Sequence, residues 1–348
     1  MKESAKPWVF PLQIVASLTV IALLIRGADV DRVREELAGA SLLWLFLATL
    51  IKAASLTLHE VRLWVSMMPD HRRPALPIIS IGYTSGLANS ILPARGGDLM
   101  AVALLKKEQD VPVPAAVAAV AVTALLEALV FAIFLVMVML VGATQWEQLI
   151  GPEKAQQVLW VLLGCCVFAV TVAVVSIFLA KRRPKEDSKN KERGLKVLIR
   201  KTLEETGASL GAGRYVLINL GLAAIQVCLV VGCFLALLPT VGIELNPNMP
   251  VLAVSGVIAF GALSAIVLPP SLGAGPATAA VFVYGLFGVT RDQALAFAAM
   301  SWIANTAPVL LLGLIPLLRR IRHFGSLKAF TQLTETETET ETEAEAEA

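Results

Sequence analysis

The chain has 348 residues, of which 57% are hydrophobic and 16% charged, with a net charge of +2 and a mean hydropathy of +0.74. Soluble domains carry about 25% charged residues, so the composition excludes an ordinary soluble protein and points to a polytopic, all-α membrane protein. The near-neutral balance leaves no basic footprint, and no nucleic-acid partner is expected. Cys165, Cys166, Cys228 and Cys233 all sit in apolar runs and read as small buried hydrophobes. With only His59, His71 and His323 besides, no metal-binding spacing exists, and no metal or cofactor is expected.

In chain order, apolar runs long enough to span a bilayer (roughly 20 residues) fall at 8–26, 41–66, 113–142, 156–180, 215–238 and 294–318. The first is long for a signal-peptide core and lacks a small-residue cleavage site, so it reads as a membrane helix. Two shorter paired units remain, 76–92 with 97–109 and 250–268 with 274–288. Each is an apolar segment, a Pro/Gly break and a second helix-like piece. A proline removes a backbone donor and glycines relax the φ/ψ limits, so a helix stops at each break.

Charge threads these segments. The stretch 181–214 holds eleven Lys/Arg and five Asp/Glu, which the positive-inside rule assigns to the cytoplasm. His71-Arg72-Arg73, Lys106-Lys107 and Arg319, Arg320 and Arg322 read the same way, while 27–40, 143–155 and 239–250 read as outside loops. Simple alternation puts 181–214 outside. Letting 76–109 and 250–288 each dip in and return puts every basic cluster inside. The expectation is therefore six full crossings plus two re-entrant hairpins, with both termini cytoplasmic in the plasma membrane.

The hairpins match in sequence. Leu92-Pro93 and Leu268-Pro269 are separated by 176 residues, as are Gly97 and Gly273. This predicts one membrane domain over 1–330, built from two inverted-topology repeats, about 8–142 and about 156–320, the signature of many secondary transporters. A segment at 194–210 is expected to form an amphipathic helix on the inner leaflet. The last fourteen residues, from Glu335, alternate Glu with Thr and then Ala, so 331–348 is expected to be a disordered acidic tail.

The first break carries the most chemistry. Asn89, Arg95, Gly96, Gly97 and Asp98 surround it, and intramembrane ions are functional by default. The glycines would let backbone N–H groups approach a phosphate at the start of the next helix, or Arg95 and Asp98 would simply pair. Glu127, mid-way along 113–142, must be paired, protonated or facing water; pairing with Arg95, a proton relay or helix cross-linking are all open. His59, Glu60 and Arg62 lie toward one end of 41–66, where snorkelling to the interface is the simplest expectation. Asn89, Gln226 and Asn305 are expected to make interhelical hydrogen bonds. The second hairpin brings no charge, only Gly273, Gly275 and Thr278. No nucleophile elbow, P-loop or His-Glu-x-x-His motif is present, so no enzyme is expected and no catalytic residue is named.

At these residues the chain resembles the lysylphosphatidylglycerol synthase transmembrane-region family, also called flippase-like. Asn89-Ser-Ile-Leu-Pro-Ala-Arg-Gly-Gly-Asp98 fits that family's first motif, Arg62-Leu-Trp64 is similar to its arginine-tryptophan pair with one residue inserted, and Glu127 matches its next carboxylate. Pro269 to Ala296 looks like the second motif, so the resemblance spans about 40–320. Ala101 and Thr278 stand where members usually carry an arginine and a glutamate. The resemblance implies movement of a phospholipid or lipid-linked polar head group between leaflets. The expected partner is thus a membrane lipid with an anionic or phosphorylated head group, alongside a homo-oligomer or a lipid-modifying enzyme. Some relatives add a soluble aminoacyl-transfer domain; none is recognised here, so lipid aminoacylation is not expected. Two alternatives stay open: a proton- or ion-coupled transporter of a small soluble solute, in which Glu127 carries the proton, and a non-transporting partner of a lipid- or glycan-modifying enzyme.

Overall fold

The structure, a computed structural model, describes residues 9–67, 71, 73–91, 96–181, 195–267 and 273–324. Among these it is helical throughout. The helices are α1 (Val9–Arg26), α2 (Val30–Ala38), α3 (Leu42–Ser66), α4 (Ala75–Ile91), α5 (Gly96–Gln109), α6 (Val113–Val141) and α7 (Ala143–Ile150). Then follow α8 (Pro152–Lys181), α9 (Leu195–Gly211), α10 (Gly213–Leu237), α11 (Pro250–Val267), α12 (Ala274–Leu286) and α13 (Arg291–Phe324). The two proline breaks at 92–95 and 268–272, the stretch 182–194 and the acidic tail lie outside the described residues, and with them Arg95.

Among the described residues, four helical stretches are long and apolar enough to cross a bilayer: Leu42–Ser66, Val113–Val141, Gly213–Val241 and Arg291–Arg322. Their outward faces are greasy. Leu42, Leu43, Phe46 and Leu50 on α3 and Val141 on α6 are exposed, as are Trp160 and Val161 on α8, a surface that lipid rather than water satisfies. The chain is an integral membrane protein.

Two stretches expected as loops are partly helical. In 27–40, Asp29 caps α2 by accepting from the backbone N–H of Asp31 and Arg32 at 3.1 and 3.3 Å, and the charges of this helix face outward with none of its residues buried. In 143–155, α7 starts directly after Gly142 and buries Trp146 against Phe287. Neither shows the long apolar run that marked the other helices; a cap and one anchoring aromatic are enough.

α3 and α10 pack along each other at the centre, and α4 with α5, and α11 with α12, form two antiparallel helix pairs. Two cores result: Leu63, Ile78, Ile81, Leu105 and Ala116 around α3–α6, and Val254, Val257, Tyr284 and Phe297 around α10–α13.

α4 is held on three sides by close approaches that a methyl group would block. A Cβ at Gly82 would land on the Glu60 carboxylate of α3, one at Gly97 of α5 on the Ser85 carbonyl, and one at Gly313 of α13 2.7 Å from the Tyr83 carbonyl. At its outer end Arg320 of α13 forks onto Glu108 of α5, Nε to Oε1 at 2.7 Å and Nη2 to Oε2 at 3.0 Å, while Nη1 donates to the Ser80 carbonyl and Thr84 Oγ1 of α4. Because the atoms opposing Gly97 are backbone, they cannot swing away. Gly97→Ala should therefore cost about 1–3 kcal/mol, seen as a lower melting temperature in detergent, whereas Gly164→Ala, with nothing within 4 Å, should leave it unchanged.

Candidate functional site

Arg62 is fully buried. This corrects the expectation that it snorkels: position near a helix end does not reach the interface when α6 and α10 close over the side chain. Its guanidinium is satisfied from two other helices, α6 and α10. Nε donates to Asn219 Oδ1 at 2.9 Å, Nη1 to Gln226 Oε1 at 2.7 Å and to Glu127 Oε2 at 3.0 Å, and Nη2 to the Thr123 carbonyl at 2.8 Å. Asn219 and Gln226 are seven residues apart on α10, two turns on one face; Thr123 and Glu127 are four apart on α6.

The network extends outward. Asn219 Nδ2 donates to Ser66 Oγ at 2.6 Å, and Ser66 and Thr123 share a hydroxyl hydrogen bond of 2.8 Å. Glu127 receives Gln226 Nε2 at 3.3 Å and meets His59 Nδ1 at 3.0 Å. An ionised carboxylate only accepts, so His59 presents its Nδ1–H there. Of the alternatives open for Glu127, pairing is what the geometry realises, with Arg62 and His59.

On the open side of this network lies a cavity of about 250 Å³. Lys52, His59 and Glu60 of α3, Asn89 of α4, Asp98 of α5, Glu127 of α6 and Gln226 of α10 line it. Asn89 Nδ2 donates to Asp98 Oδ1 at 2.7 Å across the broken hairpin, and Ser85 Oγ donates to the Gly97 carbonyl at 2.8 Å. Glu60 is 3% exposed; it too was expected at the interface and instead faces the cavity, its carboxylate seated against Gly82.

Asn89, Asp98 and Glu127 thus meet at one cavity, with Arg62 behind it and Gly97 bracing its hairpin; Gly96 opens α5 beside it. Gly273, Gly275 and Thr278 do not join them. Thr278 donates to its own helix, at the Ala274 carbonyl, and Gly275 is buried in α12. Gly273 caps α12 in the left-handed region, φ 70°, and borders a second cavity of about 490 Å³ between α1, α2, α12 and α13. Asn305 likewise donates within its helix, to the Ser301 carbonyl, rather than across to a neighbour.

Three lining residues of the second cavity stand 176 residues after three of the first. Ala277, Ala299 and Ile303 line it where Ala101, Thr123 and Glu127 line the other. Sequence reasoning missed Lys52, Asn219 and Thr123. The signal for Asn219 was available: paired with Gln226 at a spacing of seven, it makes a two-amide face that an apolar helix has no reason to carry alone.

No group of three or more His, Cys, Asp or Glu could hold a metal ion among the described residues. The fold and site define an integral membrane protein with a charged cavity enclosed by helices. The family model for the lysylphosphatidylglycerol synthase TM region matches residues 10–313, and the chain belongs to that family. No curated protein and no solved structure matches it.

Removing Arg62 would strand four acceptors and an uncompensated Glu127. Arg62→Ala should lower stability by about 3–5 kcal/mol, and Arg62→Lys should not restore it, because an ammonium cannot reproduce the planar fork. Thermal unfolding of the purified variants in detergent checks both.

Proposed function

We propose that the protein is a non-enzymatic lipid transporter of the flippase type, moving a phospholipid or lipid-linked polar head group between leaflets through the cavity bounded by α3–α6 and α10. One observation carries this reading: a cavity of about 250 Å³ lined by Lys52, His59, Glu60, Asp98 and Glu127, inside helices whose outer faces are built for lipid. That volume lies just below the usual range for ligand pockets, roughly 300–1,000 Å³, and suits a head group whose tails stay outside. Both signs of charge are present, so a phosphate can find Lys52 while donors on the same head group find the carboxylates. Membership of a family named for lipid synthesis supports the same substrate class.

The proposal includes the topology. α1–α6 and α8–α13 run in the same order, each with a helix pair in fourth and fifth place. They read as inverted-topology repeats over about 8–142 and 156–320, with α4–α5 and α11–α12 as re-entrant hairpins. α3 lying against α10, its counterpart, is what a two-fold relation between repeats produces. In this reading the polar half grips the head group, and α9 sits at the cytoplasmic face.

Reconstitution tests it. Vesicles of phosphatidylglycerol and phosphatidylethanolamine carrying a fluorescent analogue of either lipid should lose outer-leaflet asymmetry faster with protein than without. Losing one charge-assisted contact, about 1.5–3 kcal/mol, predicts that Asp98→Asn, Glu127→Gln and Arg95→Ala each slow exchange by roughly 10-fold or more. Exchange no faster than in empty vesicles, with folded protein, would overturn the reading.

A further inference from the structure

Three carboxylates face the cavity, and their surroundings differ. Glu127 is fixed by Arg62 and His59, and Asp98 is held by Asn89. Glu60, 97% buried by its 3% exposure, makes no hydrogen bond and no ion pair among the described residues. Its carboxylate rests on the bare backbone of Gly82 and borders the cavity. A larger residue at position 82 would displace it, so α4 leaves a slot for this group and supplies no donor to it.

An uncompensated charge at such a place is costly, and taking up a proton removes the cost. The charged and titratable groups around Glu60 are Lys52, His59 and Arg62 of α3, Asp98 of α5 and Glu127 of α6. α4 adds Tyr83, which shares a hydrogen bond with Thr57, and α10 adds only the amide of Gln226 to the lining. Arg62 and His59 both hydrogen-bond to Glu127, and neither hydrogen-bonds to Glu60.

We propose that Glu60 is a proton-binding site of the cavity and the group that couples head-group movement to a proton gradient. The carboxylate takes H⁺ from a hydronium ion in cavity water, leaving water and the neutral acid, and returns it to water when the cavity faces the other side. Glu127, locked by its partners, holds helices together and carries no coupling proton. The coupling half of this inference rests on the transport reading above; the proton site does not.

Two measurements separate them. In vesicles containing fluorescent phosphatidylglycerol, one proton per transported lipid makes a gradient of one pH unit worth a ~10-fold bias between leaflets. The wild type should approach that bias, and Glu60→Gln should bring the ratio back to one, whatever its rate. Independently, infrared difference spectra of detergent-purified protein across a pH jump should show a protonated-carboxyl carbonyl band that is lost in Glu60→Gln and kept in Glu127→Gln. A wild type without that band, or a band that survives Glu60→Gln, would overturn the proton site. A band lost as expected in a protein that moves no lipid would support the site and overturn transport. Lipid exchange that is blind to the gradient would overturn coupling alone.

Discussion

A guanidinium cannot be left unpaired inside an apolar helical protein, and Arg62 sets the terms for everything around it. Burying a charge costs several kcal/mol even after relaxation unless each donor finds an acceptor. No single helix can offer that many in the right plane. Here α6 gives Glu127 and the Thr123 carbonyl, and α10 gives Asn219 and Gln226. Three helices are thereby fixed in register by one side chain. With apolar neighbours on every side, hydrophobic burial alone distinguishes poorly between registers, since lipid tails are as apolar as leucine. The polar network supplies the missing specificity.

That division of labour leaves the cavity chemically sorted. Oε2 of Glu127 takes both Arg62 and His59 and Oε1 takes Gln226, while the side chains of Glu127 and His59 line the cavity. Glu60 lies one residue from His59 on α3 but turns toward α4, where Gly82 gives space without donors. Two carboxylates from adjacent helices thus acquire different tasks from their neighbours alone: one structural and ionised by its partners, the other open to exchange. The cavity between α1, α2, α12 and α13 is apolar by contrast, with Ile303 standing 176 residues after Glu127.

The helices were legible in the sequence because lipid imposes a length and an apolar composition that few other environments do. The hairpin break was legible because Pro93 and Gly96-Gly97 punctuate it, and an interhelical hydrogen bond was expected of Asn89, which the structure directs to Asp98. Arg62 was not legible as a buried centre. Its partners Asn219 and Gln226 are 157 and 164 residues away, and an isolated arginine near a helix end looks the same whether it reaches water or two other helices. Glu60 was hidden for a related reason: what defines it is a missing partner and a glycine on another helix, and neither is written beside it. The short helices α2 and α7 escaped because neither has the long apolar run that marks a membrane helix; Asp29 caps α2, and Trp146 anchors α7.

The close approaches around α4 bear on how such a molecule can move. Rocking of one sequence half against the other would separate α4 from α13, because α13 belongs to the second half. That separation has to open the Gly313 contact with the Tyr83 carbonyl and pull Arg320 out of a bidentate pair with Glu108. Arg320 is also bonded to Ser80 and Thr84 of α4, so the first hairpin and α13 behave as one body. The Arg62 cluster likewise holds α3 of the first half to α10 of the second. The mechanical boundary therefore does not coincide with the boundary between the halves of the sequence. It passes beside α3, where Arg62 and Glu127 hold α6 and α10 on one side and Glu60 meets α4 on the other, so the cavity lies on the seam that a change of access would have to open.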